Sequence, residues 1–254
     1  MMCWTKEELM IAAAADVIKD HDIALVGIGL PNLAAMLAKQ THAPNLKLVY
    51  ESGAIDASPE NLPQGPGDFP LLRTSVMNTS LFDALGYVQR GKVDIAFLAA
   101  AEIDQYGNLN ATVVGDYLHP ICRLPGSGGA NDMGSGAKKI VVVSKHIRRK
   151  FPERVSFITT PGFINGPGDR ERYGLNGEGP VRVLTDLGVF GFDEKTKRMK
   201  ILSIHPGVDK QEIIDNTQFE ILGMDEEIPV TKQKSERIHQ LIKNLDMNHQ
   251  YIGK

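Results

Sequence analysis

Glu51 stands directly after the apolar run Leu46 to Tyr50 and directly before Ser52 and Gly53. A free glutamate has a pKa of about 4.3, so such a carboxylate is ionised at neutral pH and can act as a nucleophile without a base to activate it. The following glycine lets the backbone turn tightly and a ligand approach. An ordinary polar residue closing a strand would look the same, so Glu51 needs support from elsewhere in the chain. Acyl chemistry also requires donors for a developing oxyanion. Gly126-Ser127-Gly128-Gly129-Ala130-Asn131-Asp132 offers them, because glycines adopt unusual dihedrals and leave their backbone N–H groups unobstructed. A flexible turn has the same composition.

Other candidates are weaker. Gly27-Ile28-Gly29 would begin a dinucleotide fingerprint, but Asn32 occupies the place of the third glycine and excludes that reading. Histidines 21, 42, 119, 146, 205, 239 and 249 lack the spacing of a helical zinc pair. His119 and Cys122 are two potential ligands only, so no metal site is expected and packing accounts for both. Asp169-Arg170-Glu171-Arg172 reads as a solvated or interface loop. Lys145-His146-Ile147-Arg148-Arg149-Lys150 suits either a nucleotide phosphate or an exposed basic face.

The elements that must position these residues follow from periodicity and turn chemistry. Thr5-Lys6-Glu7-Glu8 is a capping box for a helix to about Lys19. Ile23 to Ile28 reads as a strand, followed by a helix that has Pro31 in its first turn and runs to about Thr41. Leu46 to Tyr50 is a second strand, which puts Glu51 at a strand's carboxyl end, where open α/β sheets place their chemistry. The proline- and glycine-rich stretch from Ala54 to Pro70 reads as a long loop, and loops of that length are often functional. Ser80 to Arg90 is a helix stopped by Gly91, and Val93 to Ala100 is a buried central strand. Ile140 to Ser144 and Val155 to Thr159 are further expected strands. Val189 to Phe192 and Met199 to Ile204 form an expected hairpin across a charged turn. Asp209 to Asn216 and Glu236 to Leu245 are expected short helices, with a weakly anchored tail after them. The alternation predicts an α/β fold. Its sheet is open, mostly parallel and doubly wound, with helices on both faces, and a β-hairpin and short helices end the chain.

With 254 residues and 42% hydrophobic content, the chain can bury a full core as one domain spanning residues 1–254. Its net charge of −3 gives no field for holding DNA or a membrane surface. Val93 to Ala101, interrupted by Asp94, is far shorter than the roughly 20 residues of a membrane span. Neither nucleic acid nor membrane is an expected partner. The acidic start of the chain is wrong for a secretory signal, and Cys3 and Cys122 make no disulfide framework. A reducing cytoplasmic location is therefore expected.

Taken in order, several segments resemble the B half of family I CoA transferases, the glutaconate CoA-transferases in particular. They are Gly27 to Pro31, Glu51-Ser52-Gly53, Ile103 to Asn110, Gly115 to Pro120, Gly126 to Asn131, Thr160 to Phe163, Gly166 to Gly168, Thr185-Asp186, and Phe192 to Met199. Their shared order and spacing over most of the chain carry the resemblance. It implies that Glu51 is the acylated nucleophile and that the N–H groups around Gly128 and Gly129 line the oxyanion site. Gly27, Gly29, Ser52, Gly53, Glu102, Asn108 and Asn131 become expected substrate or CoA contacts. It further implies a homologous CoA-transferase partner subunit, the A half of an A2B2 or larger hetero-oligomer, and coenzyme A as a substrate in place of a resident cofactor. Glu102 departs from the glutamine of the glutaconate enzymes, and a second carboxylate near the site would raise the pKa of one of the pair. Decarboxylases and ring-opening hydrolases of this fold lack the nucleophilic glutamate, which favours transfer here.

Two rivals stay open from sequence. One is an acyl-CoA hydrolase on the same scaffold, in which water intercepts the acyl-glutamyl intermediate. The other is a non-catalytic module whose glycine loops hold a phosphorylated ligand.

Overall fold

The computed structural model describes residues 4–252 except 60, 61, 66 and 250, so Cys3 lies outside the described residues. The capping box forms as expected. The Thr5 hydroxyl accepts from the Glu8 N–H at 3.1 Å, and the Glu8 carboxylate accepts from the Thr5 N–H at 2.8 Å. Helix α1 (Lys6–Val17) leads into β1 (Ile23–Val26), α2 (Leu30–Lys39) and β2 (Lys47–Val49). Then come β3 (Ala54–Ile55), α3 (Phe69–Thr74), β4 (Met77–Asn78), α4 (Leu81–Gln89) and β5 (Ile95–Leu98). Four short strands follow: β6 (Glu102–Ile103), β7 (Leu109–Asn110), β8 (Val113–Gly115) and β9 (Pro120–Arg123). The remainder is α5 (Ala130–Gly136), β10 (Lys139–Ser144), α6 (Asp169–Arg172), β11 (Pro180–Thr185), β12 (Gly188–Phe192), β13 (Met199–Ile204), α7 (Lys210–Asp215) and α8 (Glu236–Leu245).

The main sheet has the order β13-β12-β11-β10-β5-β1-β2-β3-β4. Its centre, from β11 across to β2, is parallel, and antiparallel strands flank it on both sides. The chain leaves β1 toward β2 and returns to β5 on the other side, so the carboxyl ends of β1 and β5 form the switch point where such sheets bind ligands. Two apolar layers cover the sheet. Residues of α1, α2 and α8, among them Met10, Leu33 and Ile242, pack on one face with Ala24, Leu48 and Phe97. Residues of α4 and α5, among them Val88 and Met133, pack on the other with Leu25, Val49 and Val142.

Three expectations need correction. Val155 to Thr159 is not a strand: the Ser156 N–H goes to a side chain, Glu102 Oε2 at 2.8 Å, the Thr159 N–H donates to the Leu109 carbonyl at 2.9 Å, and the neighbouring Thr160 makes an isolated bridge to Leu109. The strand beyond β10 is instead β11, which begins with Pro180, a residue a ladder tolerates at its first position. The Ala54 to Pro70 stretch is not wholly loop, since β3 pairs with both β2 and β4 and α3 begins at Phe69. The tail is anchored: Asp246 Oδ2 accepts from the N–H groups of Tyr251 at 3.0 Å and Ile252 at 2.8 Å, and Ile252 is buried.

Candidate active site

The Glu51 turn is set by its neighbours. Tyr50 donates its N–H to the Ala54 carbonyl at 2.9 Å, and Gly53 donates to the Tyr50 carbonyl at 2.9 Å, so Glu51 and Ser52 form the tip between β2 and β3. Gly53 has φ +99°, and a Cβ there would lie 2.0 Å from the Thr79 carbonyl oxygen. Only glycine fits both conditions. Beneath the tip, the fully buried Tyr50 hydroxyl donates to Asn32 Oδ1 of α2 at 2.7 Å. Burial raises the Tyr50 phenol pKa well above its usual value, with the Asp56 charge adding to it, so the hydroxyl remains a donor. Asp56 feels burial first, yet the ammoniums of Lys39 and Lys47 that bond it prevail and hold its pKa below the ordinary carboxylate value.

The glycine loop meets this turn. Gly129 donates its backbone N–H to Glu51 Oε1 at 3.0 Å. A Cβ at Gly128, where φ is +49°, would lie 3.2 Å from that same oxygen. One at Gly129 would lie 2.8 Å from Leu85 Cδ2 of α4 and 3.3 Å from Glu51 Oε1. The absence of both side chains lets the loop close on the carboxylate. Glu51 itself is half-buried, and among the described residues no hydrogen bond reaches its Oε2. The arrangement thus fixes one oxygen and leaves the other available for attack.

The remaining expected contacts fall into two groups. Ser52 and Gly53 belong to the turn, and Ser52 Oγ is buried without a hydrogen-bond partner among the described residues. Gly27 and Gly29 lie just beyond the carboxyl end of β1, the strand that pairs in parallel with β2, after which Glu51 stands. Glu102 and Asn108, by contrast, are buried with their polar atoms engaged by the chain. Glu102 accepts from Asn110 Nδ2 at 2.7 Å and from the Ser156 N–H and hydroxyl at 2.8 and 3.0 Å, and neither oxygen meets Glu51. Asn108 Oδ1 accepts from the N–H groups of Gly162 and Ile164, while its amide nitrogen donates to Asp104. These residues staple the β6–β7 hairpin to the 160–164 segment. Burial raises the Asp104 pKa even though Asn108 and backbone N–H groups stabilise its charged form. Asn131 is exposed and borders a separate hollow of about 300 Å³ with Gln89, Asp132 and Ser135.

Arg170 overturns the expectation of a solvated charged loop. It is buried and donates to the carbonyls of Pro161, Gly162, Gly134 and Asn176. In the basic segment, His146 is buried between the Thr185 and Thr217 hydroxyls and stacks on Phe151 at 4.0 Å. Among the described residues no group of three or more His, Cys, Asp or Glu side chains is placed to hold a metal ion. Cys122 is an exposed free thiol. No helix among them is long and apolar enough to cross a membrane.

Sequence reasoning misses Asn32, Thr79 and Leu85, which support the site. The signal for Asn32 is its place in the first turn of α2, although a fingerprint reading counts it only as a missing glycine.

Known proteins share this fold. The B subunit of 3-oxoadipate CoA-transferase from Pseudomonas knackmussii is 39% identical over 87% of this chain and 85% of its own length. The B subunit of glutaconate CoA-transferase from Acidaminococcus fermentans is 38% identical over 86% of this chain and 84% of its own. The crystal structure of the glutaconate coenzyme A-transferase from that organism superimposes with a TM-score of 0.91 at 34% identity, covering 99% of this chain and 98% of the other. Residues 7–216 match the family described as Coenzyme A transferase, and the chain belongs to that family.

Proposed function

We propose that this chain is the nucleophile-bearing half of an enzyme that moves CoA between carboxylic acids, and that Glu51 is transiently acylated. The acids are dicarboxylates of the glutaconate or 3-oxoadipate kind, on the strength of the relatives' activities. The observation that carries this reading is the Glu51 carboxylate, held through one oxygen by the Gly129 N–H while the other has no hydrogen bond among the described residues.

The chemistry balances without water or a general base. Glu51 Oε2 attacks the thioester carbonyl of the donor acyl-CoA; the C–S bond breaks, giving a mixed anhydride and CoA thiolate. The thiolate then attacks the Glu51 carboxyl carbon, the donor acid leaves as carboxylate, and a glutamyl-CoA thioester remains. The acceptor carboxylate repeats these steps in reverse. When the thiolate adds to the Glu51 carbon, negative charge develops on Oε1, where the Gly129 N–H already points. One preorganised donor of this kind is worth about 3 kcal/mol. The tetrahedral centre on the substrate carbon is a different one, and its donors come from elsewhere.

A homologous partner chain, in an A2B2 or larger assembly, is the proposed source. Both of the relatives above are B subunits, and apolar side chains stand exposed on both sides of the site. Val76 and Phe82, beside β4 and on α4, are 80% and 82% exposed; Leu118 and Ile121, at the β8–β9 hairpin that leads into the glycine loop, are 78% and 84% exposed. A partner covering these surfaces would also exclude the water that hydrolyses an anhydride. Coenzyme A enters as a substrate with no resident cofactor, and the single domain works in the cytoplasm, a reducing compartment that suits the exposed Cys122 thiol.

The test is mass spectrometry of the assembled complex after incubation with acetyl-CoA or glutaryl-CoA. An adduct on the Glu51 peptide, lost in Glu51→Gln together with exchange, is expected. A Glu51→Gln complex that still exchanges CoA at near wild-type rate refutes the assignment. Steady CoA release over many turnovers without an acceptor acid favours hydrolysis, and no adduct with no turnover favours a binding module.

A further inference from the structure

A cavity of about 590 Å³ lies between the second half of α1, the sheet at β11–β13 and the chain that follows α7. Its floor is apolar: Ala13, Val17, Val181 and Val189 line it and pack on the buried layer beneath. The wall on the β13 side is built by backbone pairing. Ile204 donates its N–H to the Pro229 carbonyl at 3.0 Å and accepts at its own carbonyl from the Thr231 N–H at 2.8 Å, so residues 229–231 run alongside β13. Ser203 and Thr231, whose hydroxyls meet at 2.7 Å, line the cavity there.

Four cationic side chains, Lys19, Lys139, Arg182 and Lys232, line this one space, against the two carboxylates of Asp16 and Glu178. Neither carboxylate neutralises the group. Asp16 is already paired with Lys234 at 2.6 Å, and Glu178 lies 3.8 Å from Lys139, beyond hydrogen-bond reach. Lys19, Arg182 and Lys232 make no ion pair among the described residues. Arg182 gives one N–H to the Val181 carbonyl at 2.6 Å, and its Nη1 lies 3.6 Å from where a Cβ on Gly191 would stand, so the guanidinium rests over β12. Its other donors have no partner among the described residues. In a chain whose net charge is −3, positive charge is thus gathered in one hollow without an anion to meet it. Like charges so placed repel one another, and a bound anion turns that repulsion into attraction.

We infer that this cavity is a second ligand site, which takes a small organic phosphate. The phosphate is held between Arg182 and the lysines, and the apolar floor carries the organic part. A phosphate group presents three terminal acceptor oxygens to donors that arrive from different elements, whereas a carboxylate presents two in one plane. The volume falls within the range of small-molecule pockets, about 300–1,000 Å³. No residue of the Glu51 turn or of the glycine loop lines the cavity, so this site stands independently of the reading of Glu51 as nucleophile.

The experiment is calorimetric titration of the assembled complex with phenyl phosphate, inorganic phosphate and benzoate, at fixed low ionic strength. Saturable binding of phenyl phosphate is expected, tighter than that of inorganic phosphate, which lacks the ring, and of benzoate, which lacks the phosphate. Arg182→Gln and Lys232→Gln should each weaken phenyl phosphate roughly tenfold, the effect of removing one hydrogen bond to a charged group. Glu51→Gln should leave that affinity unchanged. Lys232 is exposed, so its variant keeps the fold and reports on the site even where Arg182→Gln does not fold. No saturable binding to the wild-type complex, or wild-type affinity in Lys232→Gln, overturns the site. Loss of binding in Glu51→Gln overturns it as well, because the ligand then sits at Glu51. Benzoate bound as tightly as phenyl phosphate overturns the assignment to a phosphate.

Discussion

The Tyr50 hydroxyl and Asn32 Oδ1 meet at 2.7 Å in a contact wholly removed from solvent, and it ties the strand end that presents Glu51 to the first turn of α2. Asn32 is already short of one partner, because its Nδ2 is buried without a hydrogen bond among the described residues. Tyr50→Phe would strand the oxygen as well. Leaving a buried polar group unpaired costs about 1–3 kcal/mol, so the variant should lose that much stability by urea titration. The double variant Asn32→Leu with Tyr50→Phe should recover part of the loss, because no polar group is left unpaired. A Tyr50→Phe protein as stable as wild type would mean that the pair contributes nothing.

The approach of Gly129 to Glu51 makes a second expectation specific. A Cβ at Gly129 keeps the N–H donor but presses on Leu85 Cδ2 at 2.8 Å and crowds Glu51 Oε1 at 3.3 Å. The leucine end is mobile enough to yield in part, so Gly129→Ala should fold while its carboxylate is displaced. Misplacement by about 1 Å costs as much as 10²-fold in rate, and kcat for CoA transfer should fall on that order with little change in melting temperature. Leu85→Ala, combined with it, should restore part of the rate; failure of that rescue would show that the contact with Leu85 is not what displaces the carboxylate.

The candidate site was legible in sequence where chemistry and backbone geometry coincide. Glu51-Ser52-Gly53 shows a carboxylate at a glycine turn, and Gly128-Gly129 shows a loop without side chains, whose Gly129 N–H meets that carboxylate. Helices α1, α2, α4, α7 and α8 and the terminal hairpin were legible for similar reasons, since caps and charged turns are local, whereas the short α3, α5 and α6 were not. Long-range competition for donors was not. Val155 to Thr159 has the composition of a strand, but Glu102 takes the Ser156 donors and Thr159 Oγ1 accepts from the Ala111 N–H. Arg170 sits in a run of charges that suggests solvent, yet four backbone carbonyls enclose it, those of Pro161, Gly162 and Asn176 from the flanking loops and that of Gly134 from α5.

Glu102 offers a direct comparison with the glutaconate enzymes, which resemblance suggests carry glutamine there. Oε2 takes two N–H donors and Oε1 takes the Ser156 hydroxyl. A glutamine can present its carbonyl oxygen to the two donors and give its amide proton to the hydroxyl, which rotates to accept. Glu102→Gln should therefore cost less than about 1 kcal/mol, against about 3 kcal/mol for Glu102→Ala, which leaves the Asn110 and Ser156 donors unpaired. Because neither Glu102 oxygen meets Glu51, the pH–rate profile of CoA transfer should be the same in Glu102→Gln and wild type. A displaced acidic limb in the variant would show that the two carboxylates are coupled after all.

His146 governs a separate pH response. Burial lowers its pKa from 6.5 to about 3, so the imidazole stays neutral in the folded protein across the physiological range. The unfolded chain takes up a proton there as pH falls below 6.5, and the folded chain does not. The stability contributed by neutral burial is therefore complete above pH 6.5, declines as pH falls, and levels off near pH 3. The slope for one such group is about 1.4 kcal/mol per pH unit, which amounts to about 2 kcal/mol between pH 6.5 and 5. His146→Gln keeps an amide between the Thr185 and Thr217 hydroxyls and removes the titration. Urea titrations at pH 7.5 and pH 5 should show wild type losing about 2 kcal/mol more than the variant over that interval. Equal losses in the two proteins would mean that His146 is protonated in the folded state, and that the stack on Phe151 does not keep it neutral.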